Sequence, residues 1–359
     1  MTEEIVFFVN GPARLLMSCV IANELYPDRT KHLILLEQYG YRYDALLPHT
    51  RRMFDRVYAF GVRAHRYSHM DQLLNTYLNP YSRVRRMLVP GQRLILFGLR
   101  SPAQKFMIRH SKRLGNPVEV YAESVSVNRY FAPRAPESTW RDLAGRVFTR
   151  AFEYQHDYDC FHVLDPNLYA DSPNAGKLVR MFNLYGSPSF ARYASLLTAD
   201  LDLSAIATYD EVFLGQPLSD NATFLKPAEE EAMLREIIGD RRVLVLPHPG
   251  ERLSPGNDKY RVVPNARVFR GGVPSELVLL KLRPTMTHTY YSTAGVNYAM
   301  MNAGSVNHFY PIHRSMHAML RGFARSLPNM RVTDRYVVGD DPYRSPRQLV
   351  PLANAPDGD

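Results

Sequence analysis

The chain has 359 residues, of which 45% are hydrophobic, 22% charged and 11% aromatic. That length and composition support about two globular domains and exclude both a small stapled scaffold and whole-chain disorder. The formal net charge is +9, and the excess is local: Arg51 to Arg113 holds 14 basic residues against Asp55 and Asp71, a net +12, while the remainder is slightly acidic. Such a stretch attracts polyanions, whether nucleic acid, anionic lipid or an acidic polymer, or serves as a solvated face, and charge alone does not choose. No run of 18 apolar residues occurs, and the opening MTEEIVFFVNGPARLL carries acids where a signal peptide needs bases, so a cytoplasmic location is expected. Cys19 and Cys160 lack metal-ligand spacing and read as reduced, buried thiols.

Ile5 to Val9 is a short β-branched and aromatic run that stops at Asn10-Gly11-Pro12, and Leu15, Leu16, Cys19, Val20 and Ala22 then recur at helical spacing. Further strands are expected at His32–Leu36, Arg93–Gly98 and Val118–Ala122, with helix-length segments between them. Apolar runs alternating with helices argue for a parallel sheet covered on both faces. From about Leu164 to Ala205 the periodicity weakens among Pro, Ser and Asn, which suggests a connector between domains. A second series follows, with strands expected at Glu211–Gly215, Arg242–Leu246, Ala266–Phe269 and Thr287–Tyr291, and helices at Pro227–Ile238, Ser275–Leu282 and His313–Leu327. The expected organisation is a first α/β domain over residues 1–190, a second over 205–327 and a tail over 328–359, with a ligand cleft where the two α/β units meet.

Several strand ends carry polar chemistry. His248, in Leu246-Pro247-His248-Pro249-Gly250, follows a strong strand and could donate to phosphate or act as a general acid; the alternative is a loop histidine in solvent. Ser292 and Thr293 follow another strand and precede small residues that open a helix, where hydroxyls and backbone N–H groups bind phosphate oxygens; the alternative is an ordinary N-cap. Glu123 follows the last strand of the first domain and offers a base, or else a cap or surface charge. Metal readings are weaker. Asp157-Tyr158-Asp159 is a D-x-D match of the kind chance supplies, and His313 with His317 lacks the Glu of a zinc helix, so both histidines are expected in solvent. No Walker A or G-x-G-x-x-G pattern appears.

Taken in order, Phe213-Leu214-Gly215-Gln216-Pro217-Leu218, Leu246-Pro247-His248-Pro249, Val273-Pro274-Ser275-Glu276-Leu277 and Tyr291-Ser292-Thr293 resemble motifs of the bacterial sialyltransferases and polysialyltransferases that use CMP-activated sialic acid. The resemblance covers about 90 residues well, Glu211 to Val296. It implies a GT-B architecture, two facing Rossmann-like α/β domains with the nucleotide sugar held mainly by the second, and inverting, metal-independent transfer. By similarity, Gly215, Gln216, Pro217, His248, Pro249, Glu276, Ser292 and Thr293 would bind the donor, His248 would help the leaving group depart, and Glu276 would lie near the ribose or cytosine. The family's base lies in an acidic-acidic-glycine motif, and here Ala122-Glu123-Ser124 keeps only the second acid, Glu123. The implied donor is CMP-sialic acid or a related nonulosonic acid conjugate, with no cofactor and no metal. The implied acceptor is a cell-surface glycan, acidic chains included, of a capsule or lipo-oligosaccharide system. Arg51–Arg113 would then hold anionic lipid on the inner face of the cell membrane or a polysaccharide assembly complex, rather than nucleic acid. The alternatives are a transferase for another CMP-sugar such as CMP-Kdo and a non-catalytic polysaccharide-binding protein.

Overall fold

Short apolar runs that stop at Gly, Pro or Asn become the strands of two parallel sheets, one in each half of the chain. The computed structural model describes residues 3–37, 47–61, 86–99, 102–121, 157–170, 172, 174–199, 201–219, 225–248, 251, 258–270 and 274–337. The chain divides into two units, Met1–Asp200 and Leu201–Asp359.

The first unit runs β1 (Glu4–Val9), α1 (Pro12–Glu24), β2 (Lys31–Glu37), β3 (Arg56–Gly61), β4 (Gln92–Phe97), α2 (Pro102–Arg113), β5 (Val118–Tyr121), β6 (Cys160–Val163), β7 (Leu178–Arg180) and α3 (Pro188–Thr198). Its seven strands lie in the order β3-β2-β1-β4-β5-β6-β7, and every pairing is parallel. Ile5 to Val9 are all buried, as a central strand covered on both faces requires. Proline at the start of α1 and α3 is preset for a first helical turn, and Ser187 caps α3 by accepting from the Phe190 N–H at 3.1 Å. Asn23 of α1 meets Ser189 and Tyr193 of α3 through side-chain hydrogen bonds of 2.8 and 3.1 Å.

The second unit runs β8 (Glu211–Leu214), α4 (Pro227–Ile238), β9 (Leu244–Leu246), β10 (Arg267–Val268), α5 (Ser275–Leu282), β11 (Met286–Thr289), α6 (Thr293–Met301), β12 (Val306–Phe309), α7 (Arg314–Ser326) and β13 (Met330–Val332). The sheet order is β10-β9-β8-β11-β12-β13, again parallel throughout. Side chains alternate between faces. Phe213, Val243 and Val245 pack with Leu234, Ile237 and Ile238 of α4, whereas Val212, Leu214, Leu244 and Leu246 pack with Val278 and Leu279 of α5 and Ala294 and Tyr298 of α6. The chain leaves β8 toward β9 and returns on its other side at β11, so the topological switch falls at β8, where an open α/β sheet exposes a crevice beyond its carboxyl ends. Gly295 lets α6 lie close on that sheet, since a Cβ there would stand 2.9 Å from the Thr289 methyl.

Among the described residues five strands, β3, β6, β7, β12 and β13, have no counterpart in the sequence expectation. The region taken as a connector contains β7 and α3, and the segment taken as a tail from residue 328 contributes β13. The edge strand β7 is too exposed to show an apolar run. In β12 the strand Val306-Asn307-His308-Phe309 looks too polar for a sheet interior, but Asn307 is wholly buried and accepts from the Thr287 hydroxyl at 2.6 Å across the strand pair. His313, expected in solvent, is buried at the N-cap position of α7. Both cysteines are free, Cys19 buried and Cys160 half-buried. Among the described residues no helix is long and apolar enough to cross a membrane.

Phe213 is fully buried at the centre of the second sheet and meets Tyr290 and Tyr260 edge-on. Phe213→Ala is expected to cost about 3 to 5 kcal/mol, read as a lowered denaturant midpoint for the second unit's transition with the slope unchanged.

Candidate functional site

Register decides which side chains can meet. Leu214 of β8 pairs with Leu246 of β9 on one side and with Thr289 of β11 on the other. The residues just beyond these three therefore leave the sheet side by side: Gly215-Gln216, Pro247-His248 and Tyr290-Tyr291-Ser292. Adjacent strands are about 4.8 Å apart, so the outer two ends stand roughly 10 Å from each other, the width of a phosphate group with its donors on either side. Three of the segments singled out in the sequence thus share one sheet edge.

Ser292 is the N-cap of α6. Its Oγ accepts from the Ala294 N–H at 3.2 Å and its own N–H donates to Thr289 Oγ1 at 3.0 Å. The ordinary N-cap reading therefore holds, and it does not exclude anion binding: the Ser292 O–H keeps its proton to donate, and the first-turn N–H of Thr293 has no carbonyl within the helix to bond. Ser292 is buried and Thr293 half-buried. The positive end of the α6 dipole points out of this edge.

His248 is exposed at the surface, yet enough protein surrounds the ring that desolvation, and after it repulsion from the Lys259 ammonium, lower its pKa from the usual histidine value. Both effects favour the neutral imidazole, and an anion placed beside it would act in the opposite direction. Pro249 and Glu123 lie outside the described residues. Glu276 sits half-buried in the first turn of α5, where a carboxylate is favoured by the helix dipole whether or not it also meets a ligand. Pro217 is half-buried in the loop beyond β8.

Beneath these strand ends lies a buried ionic group that sequence reasoning missed. The Lys259 ammonium, 7% exposed, donates to Glu230 Oε1 at 2.6 Å and to the Gln216 carbonyl at 2.7 Å, and lies 3.4 Å from Glu251 Oε2. Glu230 also accepts from the Ser219 N–H at 2.9 Å. Glu251 accepts from the His248 N–H at 2.8 Å and from the Tyr260 hydroxyl at 2.7 Å, while its own N–H closes a turn onto the His248 carbonyl at 2.9 Å. The loop that carries His248 is thus clamped at both its amide and its carbonyl. Two buried carboxylates share one ammonium, and burial pushes the Glu251 pKa up against the opposing pull of Lys259. Gly215 is needed here for space, because a Cβ would collide with the Glu251 carboxylate and the Tyr260 hydroxyl. A Glu three residues after a His-Pro pair, followed by Lys-Tyr, was the available signal, but nothing in the spacing marks those charges as buried.

The basic stretch Arg51–Arg113 is partly outside the described residues. Within the described part, Arg93 is paired with Glu3 and Glu119, and Lys112 with Asp159, so some of its charge is spent inside the first unit.

No protein-family model matches the chain, and no curated protein matches it in sequence. Solved structures match its fold. The α/β-galactoside α-2,3-sialyltransferase of the luminous marine bacterium Photobacterium phosphoreum aligns with a TM-score of 0.50 at 10% identity, covering 92% of this chain and 99% of that one. Arabidopsis thaliana UGT89C1, complexed with UDP-L-rhamnose, aligns with a TM-score of 0.53 at 11% identity, covering 95% and 86%. The UDP-N-acetylglucosamine 2-epimerase of Rickettsia bellii aligns with a TM-score of 0.53 at 12% identity, covering 88% and 80%. The chain has the GT-B type of α/β fold, two parallel-sheet units in succession.

Lys259→Met leaves Glu230 and Glu251 buried without their cation and is expected to destabilise the second unit by about 3 to 5 kcal/mol. Lys259→Met combined with Glu230→Gln and Glu251→Gln should recover a large part of that loss, as chemical denaturation of the single and triple variants will show.

Proposed function

We propose that the protein is a glycosyltransferase that moves sialic acid, or a related nonulosonic acid, from its CMP conjugate to a hydroxyl of a glycan acceptor, with inversion and without a metal ion. The observation that carries this reading is the shared edge at which His248, Gly215-Gln216 and Ser292-Thr293 leave three adjacent parallel strands of the second unit. Loss of CMP places growing negative charge on a phosphate. Thr293 N–H, the Ser292 hydroxyl and the His248 imidazole are a set of donors aimed where that charge develops, so they do the work a divalent cation does elsewhere. The acceptor oxygen bonds to the anomeric carbon as the carbon–oxygen bond to phosphate breaks and its electron pair leaves with CMP. Glu123 takes the acceptor proton in this reading. Glu276 would contact the ribose or the base.

The resemblance of the four motifs favours CMP over UDP, and the likeness in fold to a bacterial sialyltransferase is in keeping with it, whereas UGT89C1 holds UDP-L-rhamnose and the epimerase is named for a UDP-sugar. Nucleotide protection separates these. CMP at saturating concentration is expected to raise the thermal unfolding midpoint by several degrees, with UDP giving less than half that shift. Glu123→Gln should keep the CMP shift and lose about 10²- to 10⁴-fold in transfer. Protection by UDP alone would overturn the CMP assignment, and acidic-polymer binding that persists without CMP release from any donor would point to the binding-protein alternative. A donor screen by CMP release distinguishes sialic acid from Kdo. Adding Mg2+ or Mn2+ should leave the transfer rate within about twofold, since the phosphate donors are protein groups.

The pH dependence has a definite sign. The His248 pKa in the free protein lies below the usual histidine value and a bound phosphate raises it, so CMP binding takes up a proton. The contribution of His248 is therefore complete below the free-protein pKa and is lost as pH rises through the higher pKa of the complex. CMP itself titrates near pH 6, so the quantity to measure is the ratio of Kd values for His248→Ala and the parent protein between about pH 5 and pH 8. That ratio should be largest at the acid end and fall as pH rises.

A further inference from the structure

On β5 and β6 of the first unit there is a group of side chains to which the transfer reading assigns no role. Glu119 of β5 pairs in register with Cys160 of β6, and His162 follows Cys160 by two residues on the same face of the strand. One ligand atom from each of the three lies within 4.8 Å of those of the other two. Cys160 Sγ is 3.4 Å from His162 Nε2, and His162 Nε2 is 3.0 Å from Glu119 Oε2. In a tetrahedral zinc site with bonds of about 2.0 to 2.3 Å, neighbouring ligand atoms stand roughly 3.3 to 3.6 Å apart. The first separation falls in that range and the second within a few tenths of an ångström of it.

Two further observations point into the same group. The Arg93 guanidinium holds the other oxygen of Glu119, Oε1, leaving Oε2 directed at His162. That is how an outer partner orients a carboxylate that gives one oxygen to a metal. Tyr121 is fully buried, its ring stacked on His162 with centroids 4.0 Å apart, and its hydroxyl has no hydrogen-bond partner. A buried phenol without a partner costs about 1 to 3 kcal/mol, and a water molecule held as a fourth ligand would supply one.

We infer that Glu119, Cys160 and His162 form a zinc site, with Arg93 orienting the carboxylate and Tyr121 meeting a metal-bound water, that ties β5 to β6. Zinc suits the donor set of one thiolate, one imidazole and one carboxylate oxygen better than the oxygen-seeking Mg2+ or Ca2+. The spacing Cys160-x-His162 hides the site in the sequence because the third ligand comes from the neighbouring strand. The inference does not depend on the transfer reading, and its test reads bound metal rather than activity.

The experiment uses the full chain, stripped with chelator and titrated anaerobically with Zn2+ and with Co2+. One equivalent of Zn2+ should bind with sub-micromolar Kd and raise the unfolding midpoint, and Co2+ should give the near-ultraviolet charge-transfer band of a thiolate ligand. The chain has two cysteines. Cys19→Ser, which leaves the group untouched, must keep the band, and Cys160→Ser must lose it. His162→Ala should weaken Zn2+ binding at least about 100-fold and Tyr121→Phe about tenfold. If Cys160→Ser fails to fold, the band in Cys19→Ser still assigns the thiolate. Absence of stoichiometric zinc at micromolar concentration, absence of the band in the parent protein, or its loss in Cys19→Ser would overturn the site.

Discussion

A single buried ammonium organises the edge of the second sheet. Lys259 reaches Glu230 on α4, Glu251 in the loop beyond β9 and the Gln216 carbonyl in the loop beyond β8. Gln216, Glu230 and Glu251 are 14 and 21 residues apart in the chain, and the one ammonium brings them together. Placing an ammonium and two carboxylates out of water is costly, and such groups persist where their geometry is satisfied on every side. Here every one of the four carboxylate oxygens has a donor, from Lys259, the Ser219 and His248 amides and the Tyr260 hydroxyl. What this ionic knot secures is position. It fixes the backbone on either side of His248 and holds the Gly215-Gln216 turn against it.

Position in turn sets chemistry. Desolvation, and after it repulsion from the same buried lysine that holds the His248 loop, lowers the His248 pKa and so favours the neutral imidazole. A phosphate at hydrogen-bond distance, as the proposed function requires, would reverse that balance, because it would outweigh a more distant ammonium. The α6 terminus behaves differently, since its N–H groups and dipole are permanent features of the backbone and need no proton.

The first unit uses the same parallel architecture and carries a polar group of its own. Arg93, Glu119, Cys160 and His162 lie on the neighbouring strands β4, β5 and β6. Period-two alternation puts Cys160 and His162 on one face, and the parallel register brings Glu119 beside them. A sheet can carry charge inward only when that charge is mutually satisfied, which is what the Arg93 and His162 contacts to Glu119 accomplish.

Much of the second unit was legible in its residues. Helices over Pro227–Ile238 and Ser275–Leu282 appear within the limits their caps and periodicity announce, and the apolar runs around Val212, Val245 and Val120 are strands. These features are local: an N1 proline, a 3.6-residue apolar stripe or a β-branched run carries its preference wherever it occurs. The order and spacing of the Gly-Gln-Pro, His-Pro and Ser-Thr segments were equally plain in one dimension. Tertiary structure alone decided what depends on neighbours distant in the chain. Polar β12 became an interior strand because Asn307 found Thr287, and Glu230, Glu251 and Lys259 went inside because they found one another. A polar side chain can enter a core only when its partners are already there, and no single stretch of sequence states where those partners will be.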